Sequence, residues 1–215
     1  KTSPLQELTI QYADYASWQR QLIQGNSLKQ QLTFWKNHCQ DIEILNLPHD
    51  YPRPSQMRYQ GSSCQKQFEI SQWSLFESHC KQYQVTPFMF LLASFQVLLH
   101  RYSGQKNFAI GTPVAGRSHQ ELENLIGCFI NTLSIKTKIT NNIYFDDLLK
   151  VTRQQCLDCF EYQHTPFEQV VDCLDIERSL SISPVFQVMF VFQNDHFISP
   201  SKESQSPRFK TVPLK

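Results

Sequence analysis

The side chains best suited to chemistry in this sequence are few and dispersed. Seven histidines (His38, His49, His79, His100, His119, His164 and His196) include no adjacent pair and no H-x-x-x-H, the spacing that would put two ligands on one helix face. Cys156-x-x-Cys159 has the step of a redox dithiol or of half a zinc site. Cys39, Cys64, Cys80, Cys128 and Cys173 do not repeat it, and no histidine pair complements it. Within a helical pattern a three-residue step places both thiols on one face, so semi-buried, inert thiols are expected and no metal site. G-x-S-x-G, H-E-x-x-H and a phosphate-cradling loop are all missing from a sequence with six glycines. These residues form no complete catalytic constellation.

Four polar features remain. Asn131 falls, by strand parity, on the same face as Leu133 and Ile135, so its amide is a buried group that must find partners, either as a core amide or at a binding surface. Glu168 has the residue type of a general acid, and also the N3 place of a capping box begun at Thr165. Arg178 and Ser183 flank the turn before the most apolar segment, a common location for a site, though Arg178 pairing with a carboxylate explains it equally well. Gly111-Thr112-Pro113 with Ala115-Gly116-Arg117 reads as a strand running into a tight loop.

The elements that must position these residues follow from composition and periodicity. The 215 residues suffice for one domain, and 40% hydrophobic content with sixteen phenylalanines gives material for a packed core. A formal charge of +1 gives no electrostatic reason to bind nucleic acid or an anionic membrane. Seven dispersed cysteines in a chain of this length suit a reducing, cytoplasmic setting better than a disulfide scaffold. The most apolar stretch, Pro87 to Leu99, is shorter than the roughly 18 residues that a membrane-spanning helix needs.

Helices are expected over about 10–23 and 27–39, separated by Gly25-Asn26. Leu47 to Pro54 carries three prolines in eight positions and reads as an extended linker. Beyond it come a short strand over 64–70 and a helix over 72–83. Thr86-Pro87 caps a helix whose inner face would be Phe88, Leu91, Leu92, Phe95, Leu98, Leu99 and Tyr102, stopped by Gly104. Residues 108–114 form a strand candidate and 120–125 a short helix. In 129–139 Leu133, Ile135 and Ile139 alternate with Ser134, Lys136 and Lys138, the pattern of a half-buried strand. A helix over 145–162 is followed by a shorter one begun by Thr165-Pro166-Phe167-Glu168. The apolar run from Pro184 to Phe192 suggests a strand covered on both sides. Strands alternating with helices predict a layered α/β sandwich.

In order along the chain, these segments resemble the condensation domain of nonribosomal peptide synthetases. Tyr12-Ala13-Asp14-Tyr15-Ala16-Ser17-Trp18 is similar to that family's Y-x-D-Y-A-x-W, and Leu47 to Pro54 to its L-P-x-D-x-P-R-P. Residues 86–104 resemble its long buried helix, and 110–117 its following strand and loop. Ile126-Gly127-Cys128-Phe129-Ile130-Asn131-Thr132-Leu133 matches I-G-x-F-V-N-T-L. Gln163 to Glu168 is close to the end of H-Q-D-x-P-F-E, with Tyr162-Gln163-His164 standing at H-Q-D, and Arg178 to Phe186 is close to R-x-x-S-x-S-P-L-F.

The resemblance implies one lobe of a fold like that of chloramphenicol acetyltransferase. Residues 1–46 would be the helical end of the N-terminal lobe and crossover, 47–54 the linker, 55–194 an incomplete C-terminal lobe and 195–215 a polar, frayed tail. It implies amide formation between a carrier-bound acyl or peptidyl thioester and a carrier-bound aminoacyl amine. Phosphopantetheine arms of carrier domains would be substrates, no cofactor would be bound, and the partners would be carrier domains and an N-terminal lobe. That lobe would hold H-H-x-x-x-D-G, whose second histidine is implicated in amide formation. No such motif occurs in these 215 residues, so no residue here is expected to be catalytic and the chain is expected to be inactive alone. A non-enzymatic remnant that only docks carriers or partners is the alternative. Asn131 and Ser183 are the candidates facing the substrate tunnel. Tyr12, Asp14, Trp18, Gly127, Phe129, Pro166, Phe167, Glu168, Arg178 and Pro184 would serve mainly structure.

Overall fold

The structure, a computed structural model, describes residues 7–67, 73–176 and 179–193. Helix α1 (Tyr12–Leu22) opens where the Asp14 carboxylate accepts the Gln11 backbone N–H at 2.8 Å, satisfying a donor that a helix start leaves unpaired. Helix α2 (Gly25–His38) follows at once, with Gly25 in the left-handed region at φ 65°. It buries Trp35, 1% exposed, whose indole N–H donates to the Tyr162 carbonyl at 3.3 Å. The Pro-rich linker contains no regular element, and Arg53 within it donates to the Ser181 carbonyl at 3.3 Å.

Helix α3 (Trp73–Gln82) leads to α4 (Pro87–Ser103), whose ends are set by local chemistry. The Thr86 hydroxyl accepts the Met89 N–H at 3.2 Å, Pro87 takes the position where a missing N–H costs nothing, and Gly104 closes the helix at φ 71°. The buried stripe of α4 is Met89, Leu92, Ala93, Gln96 and Leu99, while Leu98 and Tyr102 of the expected inner face are exposed. The stripe is rotated because Gln96 faces inward, where its Oε1 accepts the Thr152 hydroxyl at 2.8 Å. That satisfied pair lets a polar residue occupy the core.

Strands β1 (Asn107–Val114) and β2 (Asn131–Lys138) pair antiparallel, from Asn107 opposite Lys138 to Val114 opposite Asn131. Phe108, Ile110, Leu133 and Ile135 are buried completely. β2 is less amphipathic than its alternation suggests. Ser134, expected on the outer face, is 1% exposed because the C-terminal end of α2 covers it, with His38 on its carbonyl. Lys136 is partly covered and its ammonium donates to the Gln40 carbonyl, which leaves Lys138 as the exposed member of that face.

Helix α5 (Phe145–Glu161) packs on α4 and β2, and α6 (Phe167–Cys173) packs on α2. Cys156 and Cys159 are both buried in α5, and burial pushes the Cys156 thiol up to about 12 and the Cys159 thiol upward as well. Both are therefore held as unreactive thiols.

The Pro184–Phe192 run is not a doubly covered strand. It touches β1 at Gly111, whose N–H donates to the Val188 carbonyl at 2.9 Å and whose carbonyl accepts the Phe190 N–H at 2.8 Å, in parallel sense. Val188 and Phe190 turn toward the core while Met189 and Val191 are exposed, so one side alone is covered. Gly111 is needed for this approach, since a Cβ there would lie 2.4 Å from the Phe186 ring. The strand expected over 64–70 is absent from 64–67 and otherwise lies outside the described residues, as do Arg178 and the 195–215 tail.

Candidate functional site

Three turns of α1 place Tyr12, Tyr15 and Trp18 on neighbouring parts of one face, and that face meets the loop between β1 and β2. The Tyr12 hydroxyl donates to the Cys128 carbonyl at 2.9 Å. Phe129 inserts between the two tyrosines, with its ring centroid 5.2 Å from Tyr12 and 4.6 Å from Tyr15. Gly127 must be glycine, because a Cβ would stand 2.2 Å from the Tyr12 ring. Arg117 lies 4.2 Å from the Phe129 ring centroid and donates to the carbonyls of Leu122 and, at 2.9 Å, Leu125. One guanidinium thus ties the loop's carbonyls to its aromatic centre.

Asn131 lies two residues beyond Phe129 and is half-buried. Its Nδ2 donates to the Gln163 carbonyl at 2.8 Å and the Thr165 carbonyl at 2.7 Å, and its Oδ1 accepts the Phe167 N–H at 3.1 Å. One lone pair on Oδ1 remains. Asn131 therefore holds the loop between α5 and α6 and satisfies a donor at the start of α6. The sequence predicts a capping box at that start, and the box does not form. Thr165 instead gives its hydroxyl to Gln31 Oε1 at 2.6 Å, Pro166 takes the cap position, and Glu168 is exposed in the first turn. The local S/T-x-x-E pattern loses because Thr165 lies one residue outside the cap, its hydroxyl turned to Gln31 and its N–H donating to the Tyr162 carbonyl at 3.3 Å.

Ser183 sits apart. Its carbonyl accepts Gln187 Nε2 at 3.0 Å, and Gln187 Oε1 in turn accepts the Leu45 N–H at 2.6 Å. Pro184 leads into Val185 at φ 67°, a costly conformation for a β-branched residue. Val185 also borders a cavity of about 600 Å³ whose wall includes Lys36, Ile42, Leu174 and Ile176. The link from this turn to the Asn131 cluster is the ring contact of Phe167 with Phe186 at 5.3 Å. The structure therefore gathers Tyr12, Trp18, Gly127, Phe129, Asn131, Pro166 and Phe167 into one assembly, with Ser183 and Pro184 at its margin.

His38 carries no distinguishing signal in the sequence. At the end of α2 its Nε2 lies 3.0 Å from the Ser134 carbonyl, and burial lowers its pKa to about 4. A histidine with a lowered native value binds its proton more readily once unfolded, so it contributes stability that is complete above the ordinary value of about 6.5 and is lost as pH falls toward 4. The urea midpoint is expected to drop across that interval, and His38→Gln, which retains a donor for Ser134, is expected to flatten the drop. An equal slope in both proteins would show that His38 is not responsible.

Among the described residues no group of histidines, cysteines and carboxylates has the arrangement of a metal site, and no helix is long and apolar enough to cross a membrane.

Comparison with known proteins adds to this geometry. A family model described as "Condensation domain" matches residues 1–215. The chain is 47% identical over 195 residues to a linear gramicidin synthase polypeptide of Brevibacillus parabrevis, an alignment that covers 90% of the chain and 2% of that protein. It is 42% identical over 200 residues to gramicidin S synthase 2 of Aneurinibacillus migulanus, covering 90% of the chain and 4% of the relative. Among solved structures, the X-domain from teicoplanin biosynthesis superimposes with a TM-score of 0.80 at 24% identity, over 88% of this chain and 43% of that one. A four-domain nonribosomal peptide synthetase bound to AMP and glycine superimposes with a TM-score of 0.78 at 30% identity, over 84% and 14%. The chain spans a few hundredths of the length of the curated relatives and less than half of each of these structures.

Proposed function

The chain belongs to the condensation-domain family, and we propose that it forms one wall of a tunnel in which a nonribosomal peptide synthetase joins a carrier-bound acyl or peptidyl thioester to a carrier-bound aminoacyl amine. The match of the family model to all of residues 1–215 is the observation that carries this reading. In the reaction the amine nitrogen attacks the thioester carbonyl carbon, the C–N bond forms, the C–S bond breaks, and the amine gives up a proton as the pantetheine sulfur leaves as a thiol. Such a step gains most from holding the two ends in register and from a base placed at the amine.

The residues described here suit the first task. Asn131 and Ser183 do not titrate near neutral pH, so their part would be to orient an amide or pantetheine group or to hold the wall that does so. The Arg117–Phe129–Tyr12 assembly supplies a rigid base for that wall. Ile126 and Ile130, 94% and 68% exposed, flank the same loop and offer apolar surface against which the other lobe would pack. The base would be the second histidine of an H-H-x-x-x-D-G segment supplied by that lobe. Both phosphopantetheine arms would arrive on carrier domains as substrates, with no bound cofactor.

Offered donor-loaded and acceptor-loaded carriers, the chain by itself is expected to form no amide above the uncatalysed rate. Product above that rate would mean that its own residues supply the base and would overturn the two-part reading.

A further inference from the structure

Arg117 forms no salt bridge among the described residues. Its donors are spent instead across the root of the connection between β1 and β2. The last pair of that ladder is Val114 opposite Asn131, and Arg117 and Phe129 stand three and two residues beyond it on the two strands. The guanidinium lies 4.2 Å from the centroid of the Phe129 ring, while its two terminal nitrogens donate to the Leu122 and Leu125 carbonyls in the middle of the same connection. One side chain therefore fastens the far part of the connection to the ring that closely precedes Asn131.

We propose that Arg117 is a positioning residue for amide formation, which touches no reacting atom but holds the end of β2 so that the Asn131 amide keeps its place in the tunnel wall. The inference rests on the condensation reading given above. A strand end beside a long connection opens more readily than the middle of a ladder. Here the opening has a large consequence, because Asn131 would release the Gln163 and Thr165 carbonyls and the Phe167 N–H together. Arg117 opposes it from outside the ladder, through a cation on an aromatic face and a forked set of hydrogen bonds. Lysine cannot reproduce this, since its ammonium is a point charge without a planar fork. Gly116, where a Cβ would strike the Phe129 carbonyl, permits the close approach but supplies no side chain to hold it.

The test uses the chain joined behind a lobe carrying H-H-x-x-x-D-G, supplied with loaded carriers, and compares Arg117→Lys, Asn131→Ala and the double variant per folded molecule. Arg117→Lys is expected to lower kcat about threefold with KM for each carrier unchanged, the mark of an interaction lost in the transition state. In the Asn131→Ala background the same change is expected to lower kcat no further, because the group it positions is gone. Losses that multiply independently, an effect on KM alone, or an unchanged kcat would overturn the role.

Hydrogen exchange of the Phe167 N–H, measured in the same proteins, separates this role from the wider reading. Arg117→Lys is expected to speed that exchange by about tenfold relative to the Leu92 N–H in the core of α4. A joined protein that makes no amide would sink the condensation reading, whereas amide formation with no selective change at Phe167 would sink the role of Arg117 alone. Should Arg117→Lys fail to fold, Phe129→Leu takes its place. It removes the ring beneath the guanidinium, keeps apolar bulk, and must meet the same expectations.

Discussion

Gly116→Ala is expected to be the most damaging single-methyl change in the chain, lowering stability by about 3 kcal/mol through a left-handed backbone cost and overpacking in a place that cannot yield. Gly116 stands at φ 68°, and a Cβ there would lie 1.8 Å from the Phe129 carbonyl oxygen and 2.8 Å from its carbonyl carbon. The obstacle is backbone, so no rotamer change relieves it. Moving that backbone would disturb the Phe129 ring, which the Tyr12 and Tyr15 rings and the Arg117 guanidinium all contact. For a domain of this size the melting temperature should fall by roughly 10 °C. Gly104→Ala is the control. It shares a left-handed φ of 71° but has open space around the added methyl, so it should cost about 1 kcal/mol, the conformational part alone. Equal losses in the two variants would show that the contact with Phe129 is unimportant.

Asn131→Ala ranks second. It removes two donors and one acceptor at once, leaving the Gln163 and Thr165 carbonyls and the Phe167 N–H without their partner. At about 1 kcal/mol net per hydrogen bond the expected loss is roughly 2–3 kcal/mol, seen as a lower urea midpoint with an unchanged denaturant slope. Asn131→Asp should recover little of this, because a carboxylate can accept from Phe167 but presents only acceptors to two carbonyls. In a complete domain, turnover per folded molecule is expected to fall about tenfold or less, since 1.4 kcal/mol corresponds to one decade of rate. An unchanged turnover beside the reduced stability would make Asn131 a structural residue and remove it from the tunnel.

These two residues also mark how far the sequence could be read. Elements bounded by their own local chemistry were legible. Thr86-Pro87 and Gly104 delimit α4 as the capping rules require, and β1 and β2 occupy the segments whose pattern indicated strands. What depended on distant partners was not. The face of α4 turned because Gln96 found Thr152, a residue 56 positions away. The capping box at Thr165 did not form because Gln31 took the hydroxyl and the Tyr162 carbonyl took the Thr165 N–H, while Asn131 satisfied the Phe167 N–H at the helix start. The Pro184–Phe192 run is apolar enough for a central strand, but its outer face has no cover among the described residues, and apolarity alone does not report which side is packed. The motifs by which the chain resembles its family were visible as separate segments. That Tyr12, Arg117, Gly127, Phe129 and Asn131 meet in one assembly required the fold.

The most direct measurement is of amide product. The chain would be joined in one polypeptide behind a lobe carrying H-H-x-x-x-D-G and supplied with donor-loaded and acceptor-loaded carriers, beside the same polypeptide with the second histidine of that motif changed to alanine. If the chain is one wall of a condensation tunnel, the joined protein releases the amide at a rate far above background and the alanine form does not. No product from a folded, joined protein, or equal product from both forms, would contradict the account.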